Sequence, residues 1–173
     1  MELTLTRSLL RPWRPGDESS LVRHANNRNV WRNLRDLFPS PYTLADARRW
    51  IGHAATRPAD TAFAVVVEDE AVGGIDFRLG EDVFLGTAEV GYWLGETFWG
   101  RGIMTEAVRV LTAHAFARLA LRRVEADVFA WNPASARVLE KAGYRLEGRF
   151  RNCVLKDGAV TDRLVYARLR EDP

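Results

Sequence analysis

Phe98-Trp99-Gly100-Arg101-Gly102-Ile103-Met104-Thr105-Glu106-Ala107 is the stretch that decides how this chain is read. Two glycines one residue apart stand directly before a long helical pattern. Glycine lets the backbone turn sharply and come close to a ligand. The first turn of the helix then offers N–H groups without intrahelical partners and the positive end of the helix dipole. Together these can make an anion site, with phosphate its usual occupant, although a Gly-x-Gly alone before a helix is more often a tight turn or a C-cap. Immediately upstream, Ala88-Glu89-Val90-Gly91-Tyr92-Trp93-Leu94 reads as a strand. A dinucleotide-binding turn fits poorly, because Thr105 stands where the third glycine of Gly-x-Gly-x-x-Gly belongs. A Walker loop is excluded because no Gly-Lys-Ser/Thr follows.

Working outward, the helix after the glycines runs from about Ile103 to Leu119, with Met104, Val108, Leu111, Ala115 and Leu119 as its apolar stripe. Val124 to Phe129 reads as a strand, and Asn132-Pro133 opens a short helix that Gly143 ends. Tyr144 to Leu155 and Val160 to Leu169 pair through a Lys156-Asp157-Gly158 turn. On the N-terminal side, Leu3 to Leu10 is expected to form a first strand. Asp17 is the expected N-cap of a helix through Ala25, Val30 to Leu34 is a short helical piece, and Thr43 with Asp46 matches a capping box. Ala62 to Val67 and Ala71 to Leu79 form a hairpin that Gly73-Gly74 weaken or bulge. Strands 88–94 and 124–129 are joined through a helix, so that pair is expected to be parallel and the rest mostly antiparallel. The class is therefore α+β, not a doubly wound sheet.

The chain has 173 residues, enough for one domain with a real core, and residues 1–173 read as a single domain. Net charge is +2, so no strong field for a polyanion is implied and nucleic acid is not an expected partner. The single cysteine, Cys153, excludes an internal disulfide. The three histidines are far apart in sequence and lack metal-ligand spacing, so no metal is expected. With no signal-like or membrane-spanning apolar run, the expectation is a soluble cytoplasmic protein without a membrane partner.

Several phrases in fixed order resemble the GNAT superfamily of N-acetyltransferases, and most of all its RimJ/RimL-like branch, the ribosomal-protein N-terminal acetyltransferases. They are Glu89-Val90-Gly91-Tyr92-Trp93, Trp99 to Ala107, Asn132 to Ser135, Lys141 to Tyr144 and Glu147 to Arg149. Phe38-Pro39 with Pro41-Tyr42-Thr43 is similar as well. The resemblance implies the GNAT fold: a mixed, mostly antiparallel sheet of six to seven strands with one splayed parallel pair, flanked by about four helices. It also implies acetyl-CoA as the donor and an amine acceptor, either a peptide N-terminus or a small molecule. Homodimers are common in the family.

On that resemblance, Trp99, Gly100, Arg101, Gly102, Ile103, Met104 and Thr105 would hold the pyrophosphate of acetyl-CoA. Leu94 and Gly95 would pair with pantetheine, and Asn132, Ser135 and Lys141 would complete the donor site. Trp99 and Met104 depart from the polar and small residues usual at those places. Trp31, Phe38 and Tyr92 are the acceptor-side candidates, with core packing as the alternative for Trp31 and Phe38. Glu89, an acid inside an apolar strand where burial would raise its pKa, is the candidate general base. The alternative is a strand acid that pairs with an arginine. Ser135 is the candidate hydroxyl near the departing thiolate; the alternative is an ordinary helix-start serine. An acyltransferase with a different acyl chain and a non-catalytic acyl-CoA-binding module remain the competing functions.

Overall fold

The structure is a computed structural model that describes residues 1–172. Its elements in chain order are β1 (Leu3–Thr4), β2 (Leu9–Arg11), α1 (Glu18–Ala25), α2 (Arg28–Trp31), α3 (Leu44–Thr56), β3 (Ala62–Val67), β4 (Glu70–Leu79), β5 (Thr87–Leu94), α4 (Ile103–Arg118), β6 (Arg123–Phe129), α5 (Pro133–Lys141), β7 (Arg145–Lys156) and β8 (Ala159–Leu169). The strands follow the sheet order β1-β2-β3-β4-β5-β6-β8-β7. The α+β class stands, with eight strands and five helices among the described residues. The added strand comes from the N-terminus. Where one strand was expected from Leu3 to Leu10, the Leu5 N–H donates to the Ser8 carbonyl at 2.8 Å and folds β2 back onto β1.

The parallel pair is β5 with β6, in the register Thr87↔Arg123, Ala88↔Val124 and Glu89↔Glu125. That ladder is short, although β5 continues to Leu94 and β6 to Phe129. The chain divides into two compact units, the first comprising Met1–Asp76 and Tyr92–Ala107 and the second Phe77–Gly91 and the chain from Val108 onward.

In the first unit the core gathers Trp13, Leu21, Ala25, Tyr42, Ala47, Ile51, Ala64 and Val66, with Phe38 and Trp93 packed against it. The register shifts where Val65 pairs with Gly73 and Val66 with Ala71, so the extra residue, Val72, lies on β4 directly before the two glycines, and the expected bulge is there. Gly73 and Gly74 also admit β5 and its tryptophan, since a Cβ would sit 2.5 Å from the Trp93 carbonyl oxygen at the first and 2.9 Å from the indole nitrogen at the second. The capping box at Thr43 and Asp46 forms as expected, each side chain meeting the other's backbone N–H. Asp17 does not cap α1 with its side chain. It is buried in a bidentate pair with Arg11, both bonds being 2.8 Å, and also accepts from the Arg14 N–H at 3.0 Å. A buried guanidinium needs an ionised partner, and the nearest carboxylate is drawn away from the helix end to supply it.

In the second unit β6 alternates burial along its length, with Val124, Ala126 and Val128 inside. Their cross-strand partners Arg168, Tyr166 and Leu164 share that face. Tyr166 donates to Glu140 and Arg168 to the Ala142 carbonyl, each at 3.1 Å, so α5 covers this side. The other side of the sheet carries charge. Arg78 pairs with Glu89 at 3.0 Å, Arg123 reaches Glu125 at 3.0 Å and Glu147 at 2.6 Å, and Arg163 reaches Asp127 at 3.3 Å. The β7 register slips between Leu146 and Gly148, which takes Glu147 out of the ladder. There the hydrogen-bonded Arg123 guanidinium holds its carboxyl below the usual range. The turn between β7 and β8 puts both Asp157 (φ 54°) and Gly158 (φ 73°) in the left-handed region, as a tight hairpin requires.

Candidate functional site

The glycine loop is built entirely within the first unit. After β5 ends at Leu94, Glu96–Phe98 form one turn of 3-10 helix, and Trp99 is extended. Gly100 (φ 74°) and Gly102 (φ 78°) then adopt the left-handed conformation, and α4 starts at Ile103. Among the described residues, and apart from its two chain neighbours, a Cβ on either glycine would meet no atom within 4 Å. These glycines therefore serve a backbone turn beside open space, not close packing. Among the described residues, the backbone N–H groups of Gly100, Arg101, Gly102, Ile103, Met104 and Thr105 donate to no protein acceptor; the first bond back into the loop is Glu106 N–H to the Gly102 carbonyl at 3.1 Å. Unpaired donors on consecutive residues at a helix N-terminus are what an anion needs. Ile103 and Met104 bury their side chains, 3% and 6% exposed, so they can offer only their backbones.

The flanking residues are already engaged. The Trp99 indole donates to the Leu94 carbonyl at 2.7 Å, which pins the loop to the strand end. The Gly95 N–H donates to the Val72 carbonyl at 2.7 Å. Gly95 is a glycine for a steric reason, because a Cβ would lie 2.9 Å from Nδ1 of His24. The Arg101 guanidinium lies 5.2 Å from the Phe98 ring centroid. Of the acceptor-side candidates, Phe38 packs on Tyr42 and Trp93 with ring centroids 4.9 and 5.6 Å away, and so belongs to the core. Trp31 stands on α2 under the Arg28 guanidinium at 5.9 Å. Tyr92 is half-buried on β5.

In the second unit, Glu89 has a charged neighbour where an apolar wall was expected. Its carboxylate meets Arg78 and its side chain keeps 24% exposure. On the adjacent strand Glu125 stands in register with it, itself held by Arg123. Asn132 caps α5, with Oδ1 accepting from the Ser135 N–H at 3.2 Å and Pro133 in the first turn. Ser135 is half-buried in the first turn of that helix. Lys141 closes the helix, where its charge complements the dipole.

The strand, the left-handed glycine pair and the open helix start agree with a wider match. The family described as Acetyltransferase (GNAT) domain matches residues 7–145. The chain belongs to this family. Among curated relatives it is similar to the probable N-acetyltransferase YjcK of Bacillus subtilis, 48% identical over 88 residues, covering 51% of this chain and 49% of that one. It is also similar to the ribosomal-protein-serine acetyltransferase of Escherichia coli, 36% identical over 107 residues, covering 62% of this chain and 59% of that one. The chain thus spans about half the length of the first of these relatives and under two thirds of the second. In fold it superposes on a solved structure of RimL, a ribosomal L7/L12 alpha-N-protein acetyltransferase in complex with coenzyme A, with a TM-score of 0.86, 23% identity and all of both chains covered.

Sequence reasoning missed a set of residues that hold the GNAT glycine loop in place. Asn27 and Asn29 donate to the two carboxylate oxygens of Glu96 at 2.8 and 2.9 Å. The His24 ring stands edge-on to Phe98 at 5.5 Å, and its Nε2 is 3.1 Å from Glu70. In sequence, residues 26–29 only separate the helix that ends at Ala25 from the helical piece that starts at Val30. The polar run was visible, but its partner at Glu96 lies 67 to 69 residues away.

Proposed function

We propose that this chain is an acetyl-CoA-dependent N-acetyltransferase that transfers the acetyl group directly from the thioester to a primary amine. The observation that carries the reading is the run of backbone N–H groups without protein acceptors from Gly100 to Thr105, beside two left-handed glycines with nothing within 4 Å of a Cβ position. Those donors fit the pyrophosphate of CoA, the anion that members of this family present to such a loop. When bound, acetyl-CoA supplies the activated acyl group. Holding the donor falls to the loop from Trp99 to Thr105, with Asn132 and Lys141 as further contacts.

The acceptor amine must attack as the neutral base and lose a proton, while the departing thiolate gains one. Glu89 is assigned the first task and Ser135 the second. Trp31 and Tyr92 are kept as acceptor contacts, whereas Phe38 packs against the core. A protein N-terminus is the favoured acceptor class, supported by the similarity to the Escherichia coli ribosomal-protein-serine acetyltransferase and to RimL. The cytoplasm is the compartment that this substrate implies.

A second reading, a non-catalytic acyl-CoA-binding module, draws on the Arg78 pair that occupies Glu89. Thermal unfolding with acetyl-CoA, followed by thiol release over a panel of peptides and small amines, separates the two. At a hundredfold excess over Kd a ligand adds about 2.7 kcal/mol, or roughly 5–10 °C in Tm for a chain of this size. A shift without thiol release on any acceptor supports the binding module. No shift at saturating acetyl-CoA defeats both readings.

A further inference from the structure

The turn between β1 and β2 reaches the glycine loop at two points. Nη1 of Arg7 donates to the Arg101 carbonyl at 2.7 Å. Thr6 donates to Oε1 of Glu106 twice, from its backbone N–H at 3.1 Å and its hydroxyl at 2.7 Å. Both contacts have a geometric consequence for an anion in the loop. The carbonyl of Arg101 and the N–H of Gly102 belong to one planar trans peptide and point in opposite directions. Fixing that carbonyl on Arg7 therefore fixes the Gly102 N–H to the opposite side, away from the brace. The plane sits between two glycines in the left-handed region, where the backbone has most freedom to rotate and most needs an external anchor. Glu106, in the first turn of α4, carries a negative charge close to the unpaired N–H groups. Left loose, its carboxylate could turn toward them and compete with a phosphate; two bonds from Thr6 hold it aside.

We propose that the β1–β2 turn is a brace for donor binding. Arg7 is a positioning residue that aims the Gly102 N–H at the pyrophosphate through the Arg101 carbonyl, and Thr6 keeps the Glu106 carboxylate clear of the same site. This inference rests on the reading of the loop as the acetyl-CoA site.

The test measures dissociation constants by calorimetry for CoA and for pantetheine, which lacks the pyrophosphate. Both ligands are titrated into wild type, Arg7→Ala, Arg7→Lys and Thr6→Val at low and high salt. Arg7→Ala is expected to weaken CoA about tenfold, as loss of one oriented donor to a charged group implies. Pantetheine binding is expected to stay unchanged. Arg7→Lys, which keeps a donor of nearly the same reach, should recover most of the loss. Thr6→Val should weaken CoA with the same selectivity. The wild-type to Arg7→Ala ratio should also hold across salt, because the effect runs through a neutral peptide and not through charge on charge.

Equal weakening of both ligands would reduce Arg7 to a general structural support and overturn the proposal. A ratio that collapses in high salt would overturn it in favour of direct contact between Arg7 and phosphate. Unchanged CoA binding in Arg7→Ala would overturn it outright while leaving the donor assignment intact. Failure of wild type to bind CoA would instead defeat the donor assignment itself. Arg7 and Thr6 are exposed, and an unchanged Tm in the free variants checks that folding is intact.

Discussion

Replacing Gly102 by alanine separates what the glycine does for the fold from what it does for a ligand. In the free protein a methyl group there would meet no atom within 4 Å, so no packing is lost or strained. The cost is confined to the backbone, because φ is 78° and an L-residue in the left-handed region loses about 1–2 kcal/mol. For a chain of this size that amounts to a fall in Tm of roughly 2–8 °C. Ligand binding should suffer far more. The methyl group would occupy the open space from which the Gly102 and Ile103 N–H groups are reached. Two charge-assisted hydrogen bonds lost at about 1.5 kcal/mol each give roughly 3 kcal/mol, or more than a hundredfold in affinity. Differential scanning calorimetry gives the first quantity and titration calorimetry with CoA the second. Gly102→Val should abolish measurable binding. CoA affinity within threefold of wild type in Gly102→Ala would refute the assignment of the loop. So would a Tm loss large enough to show that the residue packs against protein.

Three further outcomes follow from particular contacts. Glu89→Gln should lower thiol release about a hundredfold or more, as loss of a general base does, while CoA affinity measured by titration stays put; unchanged turnover across pH would remove Glu89 from the mechanism and return it to its pair with Arg78. Asp17→Asn should cost about 3 kcal/mol in urea unfolding, because it leaves the buried Arg11 guanidinium without its counter-ion. Burial pushes the Asp17 carboxyl up, but hydrogen bonds from Arg11 and the Arg14 N–H together bring it below its ordinary value. Its stabilisation is therefore full above the unfolded carboxylate range, near pH 4, and falls away as pH drops through the lower folded value. The pH dependence of stability should flatten there in Asp17→Asn, and an unchanged acid limb would show that the pair is not the titrating element. Tyr144→Phe strands the buried Thr112 hydroxyl, now bonded to the tyrosine oxygen at 2.7 Å, and should cost about 1–3 kcal/mol by the same unfolding assay.

The parts of the fold that were legible in the sequence are those whose cause lies within a few residues. The capping box at Thr43 and Asp46 is a contact between residues three apart, and it formed as read. The Asp157-Gly158 turn and the proline at the start of α5 likewise carry their geometry in their own identities. Asp17 shows where this logic fails. Its position before α1 suited a cap, but a local preference worth about 1 kcal/mol yields to a buried arginine that would otherwise be uncompensated. Nothing in the hydropathy of Leu9 to Arg11 announces that Arg11 is only 2% exposed. The turn at Leu5 to Ser8 was hidden in a run that alternates well enough for one strand, and the sequence contains no glycine or proline there to mark it.

The glycine loop gives the clearest division between what a motif specifies and what it leaves to the rest of the chain. The two glycines and the helix pattern suggest an anion site, because donors and dipole are properties of consecutive backbone groups. They say nothing about what prevents that loop from sampling other conformations, which two left-handed glycines make accessible. The anchors come from Arg7, Thr6, His24, Asn27 and Asn29, the first two 94 and 100 residues from their partners. Every one of these ties runs within the first unit, from its N-terminal segment to the segment Gly95 to Glu106. A site defined by free N–H groups binds well only if those groups are held in place before the ligand arrives, since each donor ordered on binding subtracts from affinity. If the loop holds the donor as proposed, the N-terminal segment is as much a part of that recognition as the glycines it holds, although it contributes no residue to the motif.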